Sequence, residues 1–188
     1  MPQFLAKTKA YLTMAKLLGP SKEAYDLLDK AIQIDVDEYR TYDVYAKLQY
    51  KDYFNNINRA ITIPDIISKC DLSIQKNPLY RNDSWLTKIR LLIDTNKYEQ
   101  ALKVVEEVLK QKSSYIPILK QKIRLFQLTS KPFEVTKEII AEVSKSAKSD
   151  DKKKIDLLYL DLHVYYKRHQ ELISLLREYD VTYLDHSY

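Results

Sequence analysis

Apolar residues recur every three to four positions along almost the whole chain, and proline, asparagine or short polar clusters interrupt them at intervals of 12 to 20 residues. That is the period of amphipathic helices punctuated by turns. The first stretch, Phe4 to Leu18, sets Leu5, Ala6, Tyr11, Leu12, Ala15 and Leu18 broadly along one side and stops at Gly19-Pro20. Ser21 is placed to cap the next helix, Lys22 to about Ile34, and Glu23 and Asp26 in its first turn suit the helix dipole. Its inward residues are Ala24, Leu27, Leu28, Ala31 and Ile32. A third helix is predicted from Glu38 to Tyr50, followed by a loop or broken turn across 51–62. The pattern resumes after Pro64, runs to about Gln75 and ends before Asn77-Pro78.

The next two helices are the clearest. One starts at Asp83 and Ser84 and carries Trp85, Ile89, Leu92 and Ile93; after the turn Thr95-Asn96-Lys97, the other runs from Tyr98 to Lys112 with Ala101, Leu102, Val105, Val108 and Leu109 inward. Ile116 to Leu128 and Phe133 to Ser146 make a fourth pair around Thr129 to Pro132. The almost wholly polar run Lys145 to Lys154 reads as a linker. A shorter pair follows, Lys154 to Tyr166 and His169 to Tyr179. The expectation is therefore an all-α chain, one helical-repeat domain over 1–188, with hairpins at about 4–35, 38–77 (insertion 51–62), 83–112, 116–146 and 154–179 and a tail at 180–188. About five antiparallel hairpins in succession point to an α-α superhelix, or solenoid.

Internal repetition is strongest in the third pair. Trp85 precedes Ala101 by 16 residues, Val105 and Val108 follow Ala101 at four and seven, and Tyr98 stands three before it. This spacing resembles the tetratricopeptide repeat, in which a large aromatic on the first helix packs near a small residue on the second. The small residue lets the two backbones approach. Ala24, Leu28 and Ala31 hold the same spacing, although Thr8 occupies their aromatic site; Ile66, Cys70 and Ser73 hold it after Tyr42 and Ala46, with about eight extra residues between the helices. In the fourth pair Phe133, Ile140 and Val143 fit, but Thr136 stands where the alanine belongs and the first helix lacks its aromatic. The resemblance covers about residues 5 to 145.

Composition narrows the function classes. A single glycine, Gly19, leaves β-hairpins, phosphate-cradling loops and dinucleotide folds without their usual positive-φ residue. A lone cysteine, Cys70, excludes an internal disulfide framework and a cysteine-rich zinc site, and it sits where the repeat buries a side chain. His163, His169 and His186 form no pair at the spacing that puts two imidazoles on one helix face, so they read as solvated surface residues. Carboxylate pairs such as Asp35/Asp37 and Glu106/Glu107 stand at helix ends and on solvated faces. No catalytic residue, cofactor site or metal site emerges, no small-molecule substrate is implied, and the chain is not expected to be an enzyme. No stretch approaches the roughly 20 apolar residues of a membrane span and no signal-like apolar core is seen, so the expected location is cytoplasmic or nuclear.

The resemblance implies a protein-interaction scaffold or adaptor, a subunit of a larger complex, that binds a partner protein or peptide on a concave face lined by first helices. On that face the expected contributors are Asp43, Lys47, Tyr50, Arg90 and Asp94. One sub-class of the family grips a chaperone's C-terminal carboxylate with lysine, arginine and asparagine on first helices. Here Lys9, Lys16, Lys47 and Arg90 stand on first helices and no asparagine does, which argues against that mode. The alternative is a basic RNA-associated subunit of a ribonucleoprotein. The net charge is +5, and Lys110, Lys112, Lys120, Lys122 and Arg124 surround one inter-helix turn as a phosphate-attracting patch. The 16 tyrosines against 4 phenylalanines would offer stacking surfaces, yet together with abundant lysine they are also what an A/T-rich gene yields. Interleaved glutamates favour an ordinary solvated face.

Overall fold

A computed structural model describes residues 2–58 and 60–178 of the chain. The tail expected at 180–188, with His186, lies outside the described residues. The fold is all-α: ten helices and no strand among the described residues. In order they are α1 (Pro2–Leu18), α2 (Lys22–Ile34), α3 (Tyr39–Phe54), α4 (Ile63–Lys76), α5 (Asp83–Asp94), α6 (Tyr98–Gln111), α7 (Ile116–Leu128), α8 (Phe133–Ser146), α9 (Ser149–Tyr165) and α10 (His169–Glu178). None of the described helices is long and apolar enough to cross a membrane. The chain divides into two compact units, Met1–Gln111 and Lys112–Tyr188.

In the first unit α1 packs on α2, α3 on α4 and α5 on α6, while α3 also lies beside both α1 and α5. Burial follows one rule. On the first helices the residues at zero, four and seven are Thr8, Leu12 and Ala15; Tyr42, Ala46 and Gln49; and Trp85, Ile89 and Leu92. On the second helices they are Ala24, Leu28 and Ala31; Ile66, Cys70 and Ser73; and Ala101, Val105 and Val108. All are at most 8% exposed. Leu5, Ala6 and Leu18, expected inward, are exposed instead, because α2 and α3 cover α1 only on its Thr8, Leu12, Ala15 face.

The expected insertion at 51–62 is helical over its first four residues. α3 continues one turn further, to Phe54, because Asp52 anchors it: this carboxylate is 1% exposed, accepts the Tyr25 hydroxyl at 2.8 Å from α2, and accepts the Asn58 amide at 2.6 Å. One buried charge thus fixes both the extra turn and the loop behind it. The loop then meets a capping box, in which Asp65 accepts the amide of Thr62 at 2.8 Å. The Thr62 hydroxyl, which donates to Asp65 at 2.6 Å, and then that amide hold the Asp65 carboxyl below its ordinary range.

In the second unit α9 is the centre. It packs on α7, α8 and α10, and Leu119, Ile123, Phe133, Ile140, Ile155 and Leu162 share a single core cluster. The linker expected over Lys145 to Lys154 is only a short break, since α9 already begins at Ser149. Asp150 and Asp151 in its first turn stabilise the positive end of the helix dipole, which an apolar count does not register. His163, expected on the surface, is 1% exposed. Its Nδ1–H donates to the Tyr159 carbonyl at 2.8 Å, and its ring meets Phe133 edge-on.

Four of the five hairpins close the same way. Asn56, Asn96, Ser130 and Lys167 each adopt positive φ, and Gly19 does so in the remaining one. In all four a bond spanning six residues follows, from Ile57 to Asp52, Lys97 to Leu92, Lys131 to Phe126 and Arg168 to His163, at 3.2, 2.7, 2.8 and 2.9 Å. That is the Schellman C-terminal turn, made here without glycine.

Candidate functional site

A groove of about 530 Å³ opens in the first unit along α1, α3 and α5. Helical spacing builds it. Asp83, Leu86, Thr87 and Arg90 stand at zero, three, four and seven on α5, one face of that helix. Val44, Lys47, Leu48 and Lys51 do the same on α3, and Lys16 joins from α1. Val44 and Leu48 belong to the core beneath, so the groove has an aliphatic floor and a polar rim.

Of the residues expected to meet a partner, most are engaged between α3 and α5. Asp43, only 9% exposed, accepts the Ser84 hydroxyl at 3.0 Å and the Lys47 ammonium at 2.9 Å. The same ammonium reaches Asp83 at 2.8 Å. Burial disfavours the Lys47 charge, but its bonds to Asp43 and Asp83 outweigh that, and its pKa lies above the ordinary lysine value. The Tyr50 hydroxyl donates to the Asp94 carboxylate. Asp43, Lys47, Tyr50 and Asp94 therefore tie two neighbouring helices together. Arg90 differs: it is exposed on the groove.

Lys51, Leu86 and Lys16 complete the site. Lys16 already stands among the first-helix cations of the sequence, and the other two carry a readable signal, since Lys51 is four residues after Lys47 and Leu86 four before Arg90, on the same helix faces. Among the described residues Lys16, Lys51 and Arg90 form no ion pair, in contrast to Lys47. The lining then holds four cations against one carboxylate, Asp83, which Lys47 already engages.

The basic residues around the α6–α7 connection fall in both units: Lys110 is exposed on α6 in the first, and Lys112, Lys120, Lys122 and Arg124 belong to the second. Lys112 lies 3.5 Å from Asp151, and the Lys122 ammonium sits over the Phe126 ring. Lys120 and Arg124 are exposed one turn apart on α7.

Cys70 is fully buried, and desolvation first, then the charges of Asp71 and Asp43, push its thiol up to about 12. At neutral pH it is a thiol, not a thiolate. No three His, Cys, Asp or Glu side chains come together as metal ligands among the described residues. No family model matches the chain, and neither does any curated protein or solved structure.

Proposed function

We propose that the chain is a non-catalytic protein-interaction module, an adaptor or subunit of a larger complex, whose hairpins stack within each unit as tetratricopeptide-like repeats. The observation that carries this reading is the groove along α1, α3 and α5, open on first helices with an aliphatic floor and, at its rim, Lys16, Lys51 and Arg90, which form no ion pair among the described residues. A groove of that size, mostly apolar with a few charged groups, is the usual form of a recognition site.

Two features support the repeat. Thr8 and Tyr42 are 34 residues apart, as are Trp85 and Leu119, and the longer interval of 43 from Tyr42 to Trp85 contains the insertion. Thirty-four is the period of the tetratricopeptide family. The burial rule also extends into the second unit, where Leu119, Ile123 and Phe126 on α7 and Thr136, Ile140 and Val143 on α8 are all at most 9% exposed.

A crosslinking pull-down from lysate, with Arg90→Glu as its control, tests the groove. Wild type recovers a protein partner and the variant loses it. Retention by the variant would place the contact elsewhere, and recovery of no protein would remove the adaptor reading.

A further inference from the structure

We infer that the groove's occupant is an acidic segment internal to a partner chain, with aspartate or glutamate side chains flanking an aliphatic residue. This rests on the groove being the interaction site proposed above. Three rim cations, Lys16, Lys51 and Arg90, have no ion-pair partner among the described residues, whereas every acidic group beside them is already bound: Asp43 and Asp83 by Lys47, Asp94 by Tyr50. Charge-assisted bonds to carboxylates are the interaction such cations lack. Complementarity of this kind selects the partner and speeds encounter.

Geometry decides between a small anion and a chain. The cations come from α1, α3 and α5, successive neighbours, and packed helix axes lie about 8–10 Å apart, so the outer two helices are separated by roughly 16–20 Å. One phosphate or small dicarboxylate does not reach across; an extended peptide does so in about 5–6 residues. The aliphatic groups decide between a peptide and RNA. Val44, Leu48 and Leu86 line the groove and favour a leucine or isoleucine beside the acids, while the lining's one aromatic, Tyr50, is tethered through its hydroxyl to Asp94. No side-chain amide lines the groove to bracket a terminal carboxylate, which is why the acids are placed within the chain.

The test is a phage-display selection on the full chain. The library holds random segments of about 15 residues, long enough to cross the groove, with their C-termini joined to the coat protein. Segments selected by wild type should be enriched in Asp and Glu around a Leu or Ile, bind at least tenfold more weakly to a Lys51→Gln/Arg90→Gln double variant, and weaken as salt rises. Arg90→Glu should shift the selection toward basic segments. Both sites are exposed, so the variants should unfold at the wild-type denaturant concentration. Acidic segments that bind the double variant equally well would overturn the inference. So would a single-stranded RNA of about 20 nucleotides that displaces them at lower concentration at about 150 mM salt. Neutral or basic segments that lose binding in Leu86→Glu would overturn the acidic occupant and leave the groove standing. A selection that enriches nothing would overturn both.

Discussion

The α5–α6 and α7–α8 hairpins share a burial frame and differ in how their helices meet. In α5–α6 the first buried position of the second helix is Ala101, and the two backbones pack closely. In α7–α8 the equivalent position of the frame, three after buried Phe133, is Thr136, and α8 brings its backbone against α9 instead, while Leu119 and Ile140 share one core cluster. The Thr136 hydroxyl is buried with no hydrogen-bond partner among the described residues. A β-branched residue holds the helices apart by its extra atoms, and its hydroxyl gains nothing in the resulting interface. The apolar frame places a helix in the core. The size of one residue within it selects the neighbour.

Transplanting that residue should have the largest effect. Ala101→Thr is expected to cost about 3 kcal/mol in chemical denaturation, by overpacking and by burying an unpaired hydroxyl. A near-neutral value would mean that the small residue does not hold α5 and α6 together. The reverse comparison is Thr136→Val, which keeps the shape and removes the hydroxyl; it should stabilise by about 1 kcal/mol. A loss there would show that the hydroxyl is satisfied.

The turns sharpen the contrast. Ser130 at φ 53° should accept glycine with a gain of about 0.5 kcal/mol, since relief of the left-handed strain exceeds the added freedom of the unfolded chain. Asn96→Gly at the corresponding position should gain nothing, because asparagine tolerates that conformation and its side chain accepts the Tyr98 hydroxyl at 2.7 Å. The smallest effect is in pH. The α9–α10 turn holds a charged pair, Arg168 to Glu171 at 2.7 Å, and this bond lowers the Glu171 pKa below its ordinary 4.5. A depressed carboxyl stabilises the fold fully above its unfolded value and loses that contribution as pH falls through its folded one. Acid titration followed by NMR should therefore show the α9–α10 turn loosening below about pH 4.5.

Much of this was legible in one sequence. Helix identity followed from apolar spacing, and the zero, four, seven frame named buried residues in four hairpins. The misses share a cause. The extra turn of α3 depends on Asp52, whose value lies in the distant Tyr25 hydroxyl. The early start of α9 depends on charge at a helix end. His163 lies inward because Phe133 and Tyr159 enclose it, and a polar residue gives no periodic signal of that. At the groove, Arg90 was legible as a first-helix cation. Asp43, Lys47, Tyr50 and Asp94 were legible as neighbours, but not as bonded to one another. The division after Gln111 has no compositional mark, since the turn there is no more polar than the others.

By itself the sequence determined which segments are helical, where each turns back, and which face of each helix is withdrawn from water, because backbone periodicity and local sterics are read over a few residues. Only the tertiary structure decided which helices are neighbours, which charges are already paired, and hence which cations remain open on the groove. Those outcomes depend on side-chain volume and on partners dozens of residues away. Thr136 already departs in the sequence from the alanine that Ala101 supplies at the equivalent place; that α8 then takes α9 as its neighbour is decided by the three-dimensional packing.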